Sequence, residues 1–79
     1  MRLDKFLKNA RLIKRRTIAK EACESGNIFL NDKQAKAGAE VKEGDTIKIV
    51  FGQRELRGEI MEIIENPRKE DADRMFRPD

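Results

Sequence analysis

The chain has 79 residues, the length of one domain, with 42% charged, 38% hydrophobic and 5% aromatic residues. It has no histidine and one cysteine, which excludes histidine-dependent catalytic triads, internal disulfides and cysteine-based metal cages. No apolar run approaches the roughly 18 residues of a membrane span, and the first 20 residues are too charged for a secretory signal. We therefore expect a small cytoplasmic protein that is not an enzyme and holds no metal or cofactor.

The positive charge is concentrated at the amino-terminal end. The net charge is +3, but residues 1–20 contain eight basic residues and one acid, Asp4, so this segment carries +7 and the other 59 residues carry −4. This asymmetry is typical of a protein that binds a polyanion, because clustered Lys and Arg residues release counterions from nucleic acid. The alternatives are a basic face exposed only to solvent and a membrane surface, which would require spare apolar residues.

Two short helices are predicted first. Apolar residues recur at helical spacing from Leu3 to Ala10 and predict an amphipathic helix over 3–10. Residues 11–16 predict a charged connection, and Thr17 is predicted to cap a second helix that ends at Gly26. Cys23 falls on the apolar side of this helix, so we expect a buried, unreactive thiol.

After Gly26 the period of the apolar residues changes from helical spacing to alternation. Residues 27–30 predict a short strand, followed by a turn at Asn31-Asp32 and a short return strand over 34–36. Residues 46–51 alternate cleanly and predict a half-buried strand. Together these features predict a small β-structure that follows the helices.

The second half is predicted to add a hairpin and a charged tail. Gly52-Gln53 leads into a second alternating segment that begins at Leu56, which indicates an antiparallel hairpin. Gly58 is interpreted as a bulge in that strand. Asn66-Pro67 opens a final helical turn or two, since proline is tolerated at the first helical position.

The phenylalanines and the acidic residues have structural interpretations. Phe6, Phe29 and Phe51 each fall on an apolar stripe or alternation and are predicted to lie in the core, whereas Phe76 could stack on RNA or dock the tail on the sheet. Asp4 is expected to stabilise the start of the first helix, and its alternative role is to orient an arginine. The acids of the second half form no obvious catalytic pair and indicate a solvated face or a surface for a basic partner.

The candidate ligand-binding residues lie on two neighbouring elements. Arg15-Arg16-Thr17 precedes a helix start, where free backbone N–H groups and planar guanidiniums suit a phosphate. The alternative is that Arg16 only pairs with Asp4 or Glu21. The predicted RNA-binding residues are Arg2, Lys5, Lys8, Arg11, Lys14, Arg15, Arg16 and, from a later loop, Lys36.

Three motifs in order within about 32 residues resemble the signature of the S4-type RNA-binding domain family. They are Arg2-Leu3-Asp4-Lys5-Phe6-Leu7, then Lys14-Arg15-Arg16-Thr17-Ile18-Ala19, then Gly26-Asn27-Ile28-Phe29-Leu30-Asn31-Asp32. The resemblance implies an α+β fold of the alpha-L type, in which two short helices pack on a small antiparallel sheet. It also implies an S4 RNA-binding domain over 1–65 and a charged C-terminal tail with a short helix over 66–79.

The length of the chain restricts the set of S4-domain proteins that it resembles. Pseudouridine synthases, tyrosyl-tRNA synthetases and the ribosomal protein carry this domain beside a larger body, which we do not expect here. The chain is instead similar to the free-standing factors of ribosome-associated quality control and to heat-shock S4 proteins. This implies binding to large-subunit rRNA and P-site tRNA on obstructed subunits, an RqcH-type quality-control factor as partner, and a monomer off the ribosome. A ribosome-assembly factor and a protein-interaction adaptor using the acidic second half remain alternatives.

Overall fold

Five strands form one antiparallel sheet in the computed structural model, which describes residues 1–79. The strands are β1 (Ile28–Leu30), β2 (Lys33–Gln34), β3 (Thr46–Phe51), β4 (Arg54–Ile60) and β5 (Phe76–Pro78). The helices are α1 (Leu3–Asn9), α2 (Arg16–Glu24) and α3 (Ala72–Met75), the last preceded by a 3-10 turn at Lys69–Asp71. The strand order in space is β2-β1-β3-β4-β5. The predicted α+β class is therefore confirmed. None of the helices is long and apolar enough to cross a membrane.

The first two helices form where their apolar residues predict them. In α1, Leu3, Phe6 and Leu7 are fully buried, as their helical spacing requires. Helix α2 begins at Arg16, so the prediction of Thr17 as its cap is wrong by two positions: the preceding residue, Arg15, is extended and serves as the cap without a side-chain hydrogen bond.

Each of the first two helices is followed by a residue with a positive φ. Gly26, just beyond α2, has φ +81°, as predicted for its left-handed cap. After α1 the same position is occupied by Arg11, with φ +60°. The Arg11 N–H donates to the Lys8 carbonyl at 3.0 Å and the Leu12 N–H donates to the Leu7 carbonyl at 3.0 Å, which is the Schellman pattern that usually selects glycine.

The hairpin of β3 and β4 pairs without interruption. Thr46 lies opposite Glu59 and Ile47 lies opposite Gly58, so the predicted bulge at Gly58 is wrong. The reason for glycine is a close approach, because a Cβ at Gly58 would collide with the Phe76 ring and the Arg77 carbonyl. Glycine here lets β5 pack against β4.

The core lies between the sheet and the helices, and it includes the tail. Ile47 and Ile49 of β3 are buried, and Met75 and Phe76 join the same cluster of 15 buried residues as Phe6. Phe76 therefore docks on the sheet, which settles the alternative left open by the sequence. The short helix of the tail is present, but β5, which pairs with β4, was not predicted. The division at 65/66 stays a prediction.

The other two phenylalanines differ in burial. Phe29 is half-buried, and the Lys48 Nζ lies 4.3 Å from its ring centroid. Phe51 is 50% exposed, so its predicted place in the core is wrong. Alternation places Phe51 on the same face as Ile49, but Phe51 is the last residue before the hairpin turn and half of it remains in contact with solvent.

Candidate nucleic-acid interface

A buried carboxylate joins two arginines from separate elements. The Asp4 side chain, in the first turn of α1, is only 3% exposed. The Arg2 Nε donates to its Oδ1 at 3.2 Å, and the Arg16 Nε lies 3.4 Å from its Oδ2. The backbone N–H of Lys5 also donates to Asp4, at 2.9 Å. Asp4 therefore takes the role that the sequence offered as the alternative, the orientation of Arg2 and Arg16, and it does so across the α1–α2 interface.

The charge of Asp4 is stabilised by these contacts. Burial raises the pKa of the Asp4 carboxyl, but the hydrogen bond and charge of Arg16 and the charge of Arg2 outweigh that effect and hold the pKa below its ordinary value of 3.8. Asp4 is therefore ionised at neutral pH. The two arginine side chains remain 51% and 48% exposed, so each keeps N–H donors that face solvent and suit a phosphate.

Two adjoining grooves continue from Arg16 along α1. The first, the Lys5 groove, has a volume of about 390 Å³ and lies between Lys5, Lys8 and the segment 65–67. The second, the Arg11 groove, has a volume of about 320 Å³ and lies between Lys8, Arg11, Lys14 and Pro67. The two grooves share residues, so they form one continuous surface.

A buried asparagine holds the far wall of both grooves. The Asn9 side-chain amide donates to the carbonyls of Ile64 at 3.2 Å and Glu65 at 3.1 Å, which fixes that segment against α1. The Lys5 Nζ donates to Glu65 Oε1 at 2.8 Å, and this hydrogen bond and the charge of Lys5 lower the pKa of Glu65. The sequence analysis did not assign Asn9, Glu65 or Pro67 to the site. Asn9 could have been recognised, because it is a polar residue one turn after Phe6 on the apolar side of α1 and a polar side chain there needs a buried hydrogen-bond partner.

The structure brings six of the eight candidate residues together. We call this set the cationic face, and its members are Arg2, Lys5, Lys8, Arg11, Lys14 and Arg16. Lys36 is exposed in the loop that crosses the start of α1, where the Asp4 N–H donates to the Ala37 carbonyl at 3.2 Å. Arg15 is exposed beside Arg16 but lines neither groove.

Cys23 and the acids Glu59 and Glu62 line neither groove of the cationic face. Cys23 is buried, and burial, followed by the charges of Asp4 and Glu24, raises the pKa of its thiol to about 11. The acids of the second half are partly neutralised by local partners: Glu59 binds Arg77, and Glu62 binds Arg74, each at 3.1 Å.

Comparison with known families identifies the fold. The family model described as S4 domain matches residues 1–47, which span α1, α2, β1, β2 and the start of β3. The chain belongs to the S4 domain family. The resemblance drawn from the three motifs is thus confirmed.

This S4 domain has similar relatives and similar solved structures. It is 57% identical to the RQC P-site tRNA stabilizing factor of Halalkalibacterium halodurans over 76 residues, covering 96% of this chain and 86% of that protein. It is 49% identical to the factor of the same name from Bacillus subtilis, covering 96% of this chain and 88% of that protein.

The solved structures agree with the S4-type fold over the whole chain. The trimeric structure of Vibrio cholerae Heat Shock Protein 15 matches with a TM-score of 0.91 and 31% identity, covering 100% of this chain and 81% of that one. The solution structure of the hypothetical protein HP1423 matches with a TM-score of 0.85 and 37% identity, covering 100% of this chain and 96% of that one.

Proposed function

We propose that this S4 domain is a noncatalytic RNA-binding factor of ribosome-associated quality control. It binds large-subunit rRNA and P-site peptidyl-tRNA on obstructed large subunits in the cytoplasm. The observation that carries this proposal is the buried Asp4 carboxylate, which holds Arg2 and Arg16 at one end of the cationic face. The names of the relatives, RQC P-site tRNA stabilizing factors, support tRNA as one ligand.

The cationic face suits a phosphate chain better than a protein or a small anion. Its charges extend from Arg2 along α1 to Lys14, so a ligand must carry several phosphates in series to contact them all. The chain has no Trp or Tyr and one large exposed aromatic, Phe51, which disfavours recognition by serial base stacking. Contacts with the phosphates and shape of structured RNA are the mode that these residues support. Arg15 and Lys36 extend the face at its edges.

The proposed partners and architecture follow the family resemblance. An RqcH-type quality-control factor acts on the same subunits, and the protein is a monomer off the ribosome. Residues 1–65 form the RNA-binding unit. Residues 66–79 form a tail that contributes Met75 and Phe76 to the core.

Substitution of Arg16 tests the proposed function. Arg16→Ala should weaken binding to large subunits that carry P-site tRNA by about 5- to 150-fold, the equivalent of 1–3 kcal/mol for a bidentate arginine contact. Co-sedimentation measures this loss. The control is Arg54→Ala, which removes an exposed arginine at the hairpin turn that forms no ion pair. Equal co-sedimentation of Arg16→Ala and wild type would contradict the proposal.

The salt dependence of binding provides a second test. Each phosphate neutralised should contribute a slope of about −0.7 to −0.9 to the plot of log affinity against log salt. Because the cationic face has six members, we expect a slope several times larger than that of a single contact. An affinity that does not change with salt would instead indicate a protein partner.

Sequencing of cross-linked RNA distinguishes quality control from ribosome assembly. Cross-links to both large-subunit rRNA and tRNA are expected for the proposed function, whereas cross-links to immature rRNA alone would indicate an assembly factor. The adaptor alternative finds no support in the contacts of Glu59 and Glu62, because both acids are already paired with arginines of this chain.

A further inference from the structure

The loop between β2 and β3 covers the start of α1, where Arg2 lies. Leu3, the first residue of the helix, donates its backbone N–H to the Ala39 carbonyl at 2.8 Å. Asp4, the second, donates its backbone N–H to the Ala37 carbonyl at 3.2 Å. These loop carbonyls take the place of a side-chain cap, because the cap residue, Arg2, forms no side-chain cap hydrogen bond. The position of the loop therefore sets the direction in which the chain presents Arg2.

The same loop also lies beside the side chain of Arg2. A Cβ placed on Gly38 would be 3.9 Å from both the Cζ and the Nη2 atoms of Arg2, so the loop backbone lies next to the guanidinium. At the end of the loop, Glu40 forms an isolated β-bridge with Arg2. A shift of the loop would therefore displace both the backbone and the side chain of Arg2.

One side chain of α2 holds this loop. Glu24, the last residue of α2, accepts the N–H of the buried Ala37 with its Oε2 at 3.2 Å. Glu24 is exposed and forms no ion pair, so it neither fills the core nor neutralises a basic residue. A negative charge at the last residue of a helix also opposes the helix dipole. The hydrogen bond to Ala37 is therefore the favourable contact that this carboxylate makes.

We propose that Glu24 is a positioning residue for RNA binding, which acts on Arg2 through Ala37 and the loop over the start of α1. The inference rests on the proposed function, because Arg2 is a member of the cationic face. A carboxylate close to a basic surface repels a polyanion, so removal of its charge ordinarily raises affinity for RNA. Removal of the Glu24 side chain should instead lower the affinity, because the loop and Arg2 must then be ordered when RNA binds.

Substitutions at Glu24 and Glu21 test this sign. Glu24→Ala should weaken binding to large subunits carrying P-site tRNA by about 2- to 10-fold, the equivalent of ordering one side chain on binding. Glu24→Gln keeps an oxygen that accepts the Ala37 N–H, so its affinity should equal or exceed that of wild type. The matched control is Glu21→Ala, which removes an exposed glutamate without an ion pair one turn earlier on α2. This control should leave the affinity unchanged or raise it.

A double-mutant cycle separates an action through Arg2 from a general loss of structure. In an Arg2→Ala background, Glu24→Ala should cause no further loss of affinity, because the side chain that it positions is already absent. An equal loss in both backgrounds would overturn the proposal, and so would a loss in Glu24→Gln as large as that in Glu24→Ala.

The same binding assay distinguishes this proposal from the proposed function. If Arg16→Ala weakens binding and Glu24→Ala does not, the positioning role of Glu24 is wrong and the proposed function stands. If the wild-type chain shows no salt-dependent binding to the subunits, the proposed function itself is wrong.

Discussion

Two carboxylates lie among the basic residues of α1, and they differ in burial. Asp4 is 3% exposed and is shared by Arg2 and Arg16, whereas Glu65 is 60% exposed and binds Lys5 alone. Asp4 belongs to the helix itself. Glu65 is brought to the helix from 60 residues away in the sequence.

This difference in burial shows that a carboxylate beside basic residues can have either of two roles. A buried carboxylate pays a desolvation cost that only well-placed partners offset, so the geometry around Asp4 is fixed. An exposed ion pair contributes little to the free energy of unfolding, and water, salt or another anion readily replaces one of its partners. Asp4 is therefore a positioning residue for the arginines, whereas Glu65 is bound to Lys5 and, in the function we propose, would compete with an RNA phosphate for it.

The largest expected effect comes from Asp4→Asn. The variant keeps an acceptor for the Lys5 N–H but loses the charge that holds both arginines, so the free energy of unfolding should fall by about 2–3 kcal/mol. Affinity for large subunits carrying P-site tRNA should also fall, by about tenfold, because the guanidiniums are no longer fixed. Urea denaturation and co-sedimentation measure the two effects. Asp73→Asn, at an exposed aspartate with no ion pair, should change neither.

The contribution of Asp4 to stability should depend on pH. Its pKa in the folded protein is below the ordinary 3.8, so the unfolded chain binds the proton more tightly. The stability difference between wild type and Asp4→Asn should therefore be complete above pH of about 4 and shrink as pH falls through the folded pKa. Urea midpoints of both proteins between pH 7 and pH 2 would show this. A difference that stays constant down to pH 2 would mean that Asp4 acts through shape alone.

Asn9→Ala should give a smaller effect, confined to the wall that carries Glu65. The carbonyls of Ile64 and Glu65 lose their donor, and the free energy of unfolding should fall by about 1–2 kcal/mol. Amide hydrogen exchange in residues 61–67 should accelerate more than exchange in α2. Equal acceleration throughout the chain would show that Asn9 supports the whole core rather than this wall.

The smallest expected effect is a gain in affinity. Glu65→Gln frees Lys5 for a phosphate, so affinity for subunits carrying P-site tRNA should rise by less than about fivefold, with a steeper salt slope. In a Lys5→Met background the same substitution should have little effect, and this double-mutant cycle isolates the pair. If Glu65→Gln weakens binding, Glu65 is part of the RNA contact and the contrast with Asp4 fails.

Local patterns predicted most of the fold. The helical spacing of Leu3, Phe6 and Leu7 predicted α1, and alternation predicted β3 with the bounds that the structure shows. The three S4 motifs predicted the arrangement of the two helices and the first strand. These features depend on residues close together in the sequence, and the periodicity records which side of each element is buried.

Features that depend on distant contacts were not predictable in this way. The pairing of β5 with β4, and the Asn9 contact with Ile64 that forms the groove wall, join residues between 16 and 55 positions apart. Phe51 shows the same limit, since alternation gives the face of a strand but not what covers it. For the candidate site, the sequence predicted all members of the cationic face, but it offered Asp4 as their orienting group only as an alternative and did not predict its burial.

The late position of β5 has a consequence for biosynthesis. Met75 and Phe76 share a core with Phe6 of the first helix, and the Met61 N–H donates to the Met75 carbonyl. During translation, residues 1–16 emerge well before these partners exist, and a domain folds only when its core can be completed. A nascent copy therefore displays its arginines and lysines on an unfinished scaffold. Folding of the cationic face is therefore completed only after Met75 and Phe76 have emerged, and the RNA binding that we propose would be delayed until then.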